Sequence, residues 1–122
     1  MPTERGDSRQ RLFYALTDPT RREIVELLAT NGQLTSTNIY DNFTVSHPAI
    51  SQHLKVLREA NILQMEKRAQ QHVYSINAGA MQELETWAKQ IADLWDQRFE
   101  ALDKVLAEEK KKEERKKLVR NK

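Results

Sequence analysis

Val45-Ser46-His47-Pro48-Ala49-Ile50-Ser51-Gln52-His53-Leu54-Lys55-Val56-Leu57-Arg58-Glu59-Ala60-Asn61 reads as one short helix with an inside and an outside. Ser46 opens it, because a serine hydroxyl accepts a hydrogen bond from a free first-turn amide, and Pro48 fits a first turn, where its missing N–H is not needed. Asn61 tolerates the left-handed conformation that closes a helix. At about 100° per residue, Ile50, Leu54 and Leu57 share one stripe, while Pro48, Ser51, Gln52, Lys55 and Glu59 lie opposite. The outer residues offer hydroxyl, amide and cationic groups, the kinds that hydrogen-bond base edges and phosphates. The helix N-terminus adds free amides and a positive dipole end, which suits a phosphate beside Ser46.

Upstream, Leu34-Thr35 opens another helix, Ser36 to Phe43, with Thr35 as its cap and Ile39, Tyr40 and Phe43 expected to face inward. Only Thr44-Val45-Ser46 separates the two, so they must cross steeply in a helix-turn-helix. Further upstream, Arg9 to Thr17 forms a first helix carrying Leu12, Phe13 and Leu16. Asp18-Pro19 restarts the chain as cap and first helical residue of a second, which runs to about Thr30 with Ile24, Leu27 and Leu28 in the core, and Asn31-Gly32 stops it. Arg21 and Arg22 stand at the start of that second helix, where they oppose its dipole, so phosphate contact is a better reason for them than helix stability, with plain solvation as the alternative.

Downstream the period changes to two. Leu63-Gln64-Met65-Glu66-Lys67-Arg68 alternates, Ala69-Gln70-Gln71 is polar, and His72-Val73-Tyr74-Ser75-Ile76 alternates again, which predicts a β-hairpin whose tip carries Lys67, Arg68, Gln70 and His72. So small a hairpin must pack on the helices, leaving its charged tip free as a wing. Asn77 then caps the last helix, near Gly79 or Ala80. Its apolar residues, among them Leu84, Trp87, Ile91, Leu94, Trp95, Leu102 and Val105, fall within a stripe of about 140° broken by Arg98. That stripe exceeds what the other elements can cover, so a second copy is expected to bury part of it, together with Phe13 and Leu16.

The expected fold is therefore mainly α with a small β-hairpin, a winged helix-turn-helix of five helices with the hairpin between the fourth and the long fifth, dimerising helix. The expected division is a flexible N-terminus over 1–8, one domain over 9–107 and a charged helical or frayed tail over 108–122. The chain's 122 residues suffice for one small core. Net charge is only +2, so its distribution carries more than its sum. Residues 1–22 carry +2, 23–43 carry −3, 44–72 carry +2, 73–107 carry −3 and 108–122 carry +4. Positive charge thus collects at the start, around the opening helix with its wing, and at the tail.

The chain has no cysteine, which excludes disulfides, thiolate metal sites and cysteine nucleophiles. No apolar run approaches the roughly 18 residues of a membrane span, so a soluble, cytoplasmic protein is expected. Its carboxylates are spread along helix exteriors and no glycine-rich phosphate loop exists, so no catalytic residues, enzyme activity or cofactor are expected. His47 is placed for a groove, His72 either for a phosphate or simply for a place on the wing, and His53 for a partly buried structural role. His47 and His53 are not spaced as a chelating pair.

Three stretches resemble the arsenic-repressor (ArsR-like) family of winged-helix regulators. They are Leu16-Thr17-Asp18-Pro19-Thr20-Arg21-Arg22-Glu23-Ile24, the stretch from Val45 to Ala60, and the wing ending Val73-Tyr74-Ser75-Ile76. The resemblance spans about residues 9 to 106. It implies a homodimer that binds an inverted-repeat operator on double-stranded DNA and usually represses transcription. Carried over by position, His47, Pro48, Ser51 and Gln52 would read bases, with Lys55, Lys67, Arg68 and Gln70 on or near the backbone, and the first and last helices would form the dimer. Metal-sensing members carry cysteines where this chain has Thr35-Ser36-Thr37-Asn38, or histidine and acidic ligands on a last helix that here lacks histidine, so no metal site is expected. The wing tip has Ala69-Gln70-Gln71 where relatives commonly place glycine. One alternative stays open: a protein-binding winged helix with a dimeric helical arm and only non-specific affinity for DNA.

Overall fold

The computed structural model describes residues 4–120. Within them the order is α1 (Glu4–Ala15), α2 (Pro19–Asn31), β1 (Gln33–Thr35), α3 (Ser36–Asp41), α4 (His47–Glu59), β2 (Leu63–Arg68), β3 (Gln71–Ile76) and α5 (Ala78–Arg120). The chain divides into two units after Glu83, inside α5.

In the first unit side-chain capping sets where α2, α3 and α4 begin. Asp18 caps α2, its Oδ1 accepting the amides of Thr20 at 2.8 Å and Arg21 at 3.2 Å, and Pro19 occupies the first turn. Gly32 ends it with φ 82°, its amide donating to Leu28 O at 2.7 Å, a backbone conformation that a Cβ would strain. Thr35 caps α3 through the Asn38 amide, and Ser46 caps α4 through the Ala49 amide at 3.3 Å. At the far end of α4, Asn61 adopts φ 60°. Its amide donates to Arg58 O, while that of Ile62 donates to Leu57 O. This is the paired closure in which the residue after the left-handed one returns to pack on the last turn, and both Ile62 and Leu57 are fully buried.

Ile24, Leu28, Ile39, Ile50, Leu54, Leu57 and Ile62 are the largest fully buried side chains. They come from α2, α3, α4 and the turn after α4, so the core is what fixes the inner face of α4. The sheet has order β1-β3-β2 and is antiparallel throughout. Tyr74 on β3 stands opposite Leu34 on one side and Met65 on the other. The hairpin predicted from alternation is therefore part of a three-stranded sheet. Gln33-Leu34-Thr35 is too short for its period to register, and only its pairing with Val73 to Ser75 makes it a strand.

Several boundaries differ from expectation. Helix α1 begins at Glu4 instead of Arg9, so residues 4–8 of the segment expected to be flexible are helical, and residues 1–3 lie outside the described residues. Helix α3 stops at Asp41, leaving Phe43 in the link to α4, half-buried. Helix α5 starts at Ala78, with Asn77 Oδ1 accepting the Gly79 amide at 3.1 Å.

Residues 84–120 form one uninterrupted helical rod, so the charged stretch 108–120 is helical, with Lys112 Nζ 3.6 Å from Glu109 Oε1. Residues 121–122, where fraying was expected, lie outside the described residues. Ile91, Leu94, Trp95, Leu102 and Val105 are all exposed, Leu94 at 61%. Trp95 and Phe99 pack edge to face, centroids 5.2 Å apart. Leu84 and Trp87 are half-buried. Among the described residues no helix is long and apolar enough to cross a membrane.

Candidate DNA interface

The amphipathic pattern of α4 translates directly into exposure. Ile50, Leu54 and Leu57 are buried, and Ser46, His47, Pro48, Ser51, Gln52 and Lys55 are all exposed. The Ser46 cap uses the hydroxyl on its own helix, and Pro48 in the first turn sacrifices no hydrogen bond. The first turn of α4 is thus a pre-ordered, solvent-facing platform with a positive dipole end.

Tyr40 of α3 is the residue that the sequence pattern misplaced. Read as an inward apolar residue, it is half-buried and reaches the outer face of α4. Its ring stacks on His47 with centroids 4.5 Å apart and planes 13° from parallel, and its hydroxyl lies 2.7 Å from Ser51 Oγ. A phenol has an apolar body and a polar tip that wants a partner. Here the tip finds that partner on the neighbouring helix.

The wing presents Lys67, Arg68, Gln70 and His72 as exposed residues. Lys67 stands opposite His72 and Arg68 opposite Gln71 in the register. Ala69 in the turn takes φ 54°, the conformation that usually selects glycine. Arg68 is also held from within the sheet, with Glu66 Oε2 at 3.0 Å and Gln33 Oε1 at 3.2 Å. Gln33 could not be foreseen in this role without β1.

Arg21 requires a correction. Expected on phosphate, it is buried, 8% exposed. Its Nε donates to Ala15 O at 2.7 Å and its Nη2 to Tyr14 O at 3.3 Å, while Nη1 lies 3.2 Å from His53 Nδ1. Its guanidinium carbon also sits 5.4 Å from the centroid of the Tyr14 ring. Arg22 remains exposed, but its Nη1 donates to Leu16 O at 2.6 Å. Both arginines therefore satisfy carbonyls at the C-terminal end of α1, where cations are favoured. They oppose the dipole of the helix they belong to because they serve the one before it.

His53, half-buried and paired with Arg21, fits its expected structural place. Asp18 completes this corner. Burial pushes its carboxyl upward, but the Arg21 amide, the charge of His53, the Thr20 amide and the Arg21 guanidinium outweigh it and hold the group below the ordinary carboxylate range.

Residues 18–64, from the Asp18 cap through α4 to the first residues of β2, match the model of the arsR family of bacterial regulatory proteins. The transcriptional repressor SdpR of Bacillus subtilis is 37% identical over 76 residues, covering 62% of this chain and 83% of that protein. The chain belongs to the arsR family. It is a DNA-binding transcriptional regulator. Another relative, the HTH-type transcriptional regulator Rv2034 of Mycobacterium tuberculosis, is 39% identical, covering 65% of this chain and 73% of its own. The solved ArsR-like transcriptional regulator from Rhodococcus sp. RHA1 superposes with a TM-score of 0.70 at 23% identity, covering 81% of this chain and 92% of that one. That likeness concerns the fold, an arsR-type winged helix-turn-helix with a long C-terminal helix.

Proposed function

We propose that this arsR-family chain acts as a homodimeric transcriptional repressor that reads an inverted-repeat operator, inserting one α4 per half-site and laying its wing on the flanking backbone. The observation that carries this reading is the outer face of α4. His47, Pro48, Ser51 and Gln52 are exposed at the start of a helix whose opposite side is anchored in the core. Gln52 and Ser51 offer hydrogen bonds to base edges, while Ser46, Lys55, Lys67, Gln70 and His72 flank them as backbone contacts. Arg22 and Arg68 are exposed and keep guanidinium donors beyond those given to their present partners, so they can add phosphate contacts, and Arg21 is left out because it is buried with its guanidinium engaged internally. The repressor sense is supported by the name of the Bacillus subtilis relative.

The second copy is supported by the exposed stripe of α5. A lone chain that leaves Ile91, Leu94, Trp95, Leu102 and Val105 in water forgoes about 1.5 to 3 kcal/mol for each such side chain that could be buried. Selection of bound sequences from random duplexes by the purified protein tests the whole reading. A pseudo-palindrome with half-site centres about one helical turn apart is expected, and recovery of sequences without any common pattern would overturn it.

A further inference from the structure

We infer that Tyr40 is a positioning residue for base recognition: it couples to Ser51 as a two-hydroxyl unit that presents one hydrogen-bond donor to the major groove, and it fixes the His47 ring beside it. This rests on the reading that α4 enters the groove. The juxtaposition is specific, since one side chain of α3 touches two of the four residues placed at the bases.

A serine hydroxyl alone donates and accepts with equal ease and rotates freely, so it discriminates poorly between bases. The 2.7 Å contact with the tyrosine hydroxyl changes this. The pair holds two hydroxyl protons, and one of them closes the internal bond whichever oxygen donates. The remaining proton is available for an acceptor outside the pair. Acceptors at the major-groove edge are purine N7, guanine O6 and thymine O4, whereas cytosine N4 and adenine N6 are donors there. The phenol is the more acidic and so the better donor of the two. Its bond to Ser51 Oγ occupies a serine lone pair and turns the serine proton outward, so the coupled hydroxyls should favour an acceptor-bearing base where a lone Ser51 would tolerate either. The parallel stack at 4.5 Å acts similarly on His47. It holds the plane of the ring while its nitrogens make no protein hydrogen bond among the described residues. A ring already held loses less freedom when it meets a base.

Four variants test the coupling on the operator found by selection, each compared with random duplex: Tyr40→Phe, Ser51→Ala, the double variant, and Gln52→Ala as an independent probe of base reading. Tyr40→Phe retains the stack and removes only the hydroxyl. It should lower the ratio of specific to random affinity roughly three- to tenfold, the worth of one hydrogen bond, and relax preference at the same base pair as Ser51→Ala. The double variant should be no worse than Ser51→Ala alone, because both changes break one unit. Random-DNA affinity should be unchanged and any loss of thermal stability small, because both hydroxyls are exposed and water replaces the lost partner, whereas a merely structural tyrosine would leave the base preference untouched. In the free protein, Tyr40→Leu should move the His47 ring proton resonances downfield as the stack is lost. If Ser51→Ala and Gln52→Ala relax specificity while Tyr40→Phe does not, or if the two hydroxyl effects simply add, the positioning role is overturned and base reading by α4 stands. If neither Ser51→Ala nor Gln52→Ala alters specificity, base reading itself fails and the role of Tyr40 falls with it.

Discussion

Arg21 takes its charge inward, and its surroundings explain both why it is there and what its loss would do. Its guanidinium bridges Ala15 O, Tyr14 O and His53 Nδ1, so truncation strands carbonyls at the end of α1 and removes the stem that fills the space between them. Arg21→Ala should destabilise the fold by about 2 to 3 kcal/mol, as charge-assisted bonds at a partly buried site do, and Arg21→Lys should recover only part because a single ammonium cannot span the same three acceptors. Urea unfolding of the three proteins measures this, and an unchanged midpoint for Arg21→Ala would refute it. Asp18 beside it gives a pH dependence of known sign. Its folded carboxyl titrates below the ordinary range, so its stabilisation is fully present above that range and is lost as pH falls through the lowered value. Asp18→Asn, which keeps a capping oxygen, should flatten the loss of stability on acidification below about pH 4. At this scale the sequence revealed the caps, because Asp18, Thr35 and Ser46 act on neighbours two or three residues away. It misled at Arg21 and Tyr40, whose partners lie on other elements and leave no trace in local spacing.

Among the elements, α4 is the one whose identity, limits and orientation were all readable in advance. Its cap, first-turn proline, apolar stripe and left-handed terminator are local features that agree with one another, and such agreement is what makes a segment specify its own structure. Strand β1 was not readable, since three residues have no useful period and their pairing with β3 joins positions far apart in the chain. The wing lies between these cases. Its strands were evident from alternation, but the turn holds Ala69 at φ 54° without the glycine that relieves such a conformation. Ala69→Gly should relax that strain and stabilise the protein by up to about 1 kcal/mol, the gain being reduced by the greater freedom of glycine in the unfolded chain. Chemical denaturation decides it, and a clear loss of stability would show that the turn suits alanine. Since Lys67 and Gln70 flank this turn, the same variant reports on the wing's contribution to binding. A looser turn that weakens all duplexes alike would mark the wing as a backbone contact.

For the whole molecule, the question is what covers the α5 stripe, because Ile91 to Leu106 presents more apolar surface than a solitary soluble rod keeps without cost. A two-fold partner answers it economically, since the same face serves both copies and any substitution counts twice. Placing a carboxylate at Leu102 should therefore remove two apolar contacts and add two charges at one seam. With about 1.5 to 3 kcal/mol for each buried leucine, Leu102→Glu should weaken association by at least 3 kcal/mol, more than about a hundredfold in Kd. The first unit should keep its helical circular dichroism, because Leu102 belongs to the other unit. Specific DNA affinity should fall with the dimer, as two half-sites can then no longer be held at once, while the weaker affinity for random duplex, which needs only the exposed cations, should fall much less. Sedimentation velocity across a concentration series, with and without operator, separates these effects. A wild-type chain that sediments as a monomer at micromolar concentration, or a Leu102→Glu variant that stays dimeric, would show that the stripe serves some other surface.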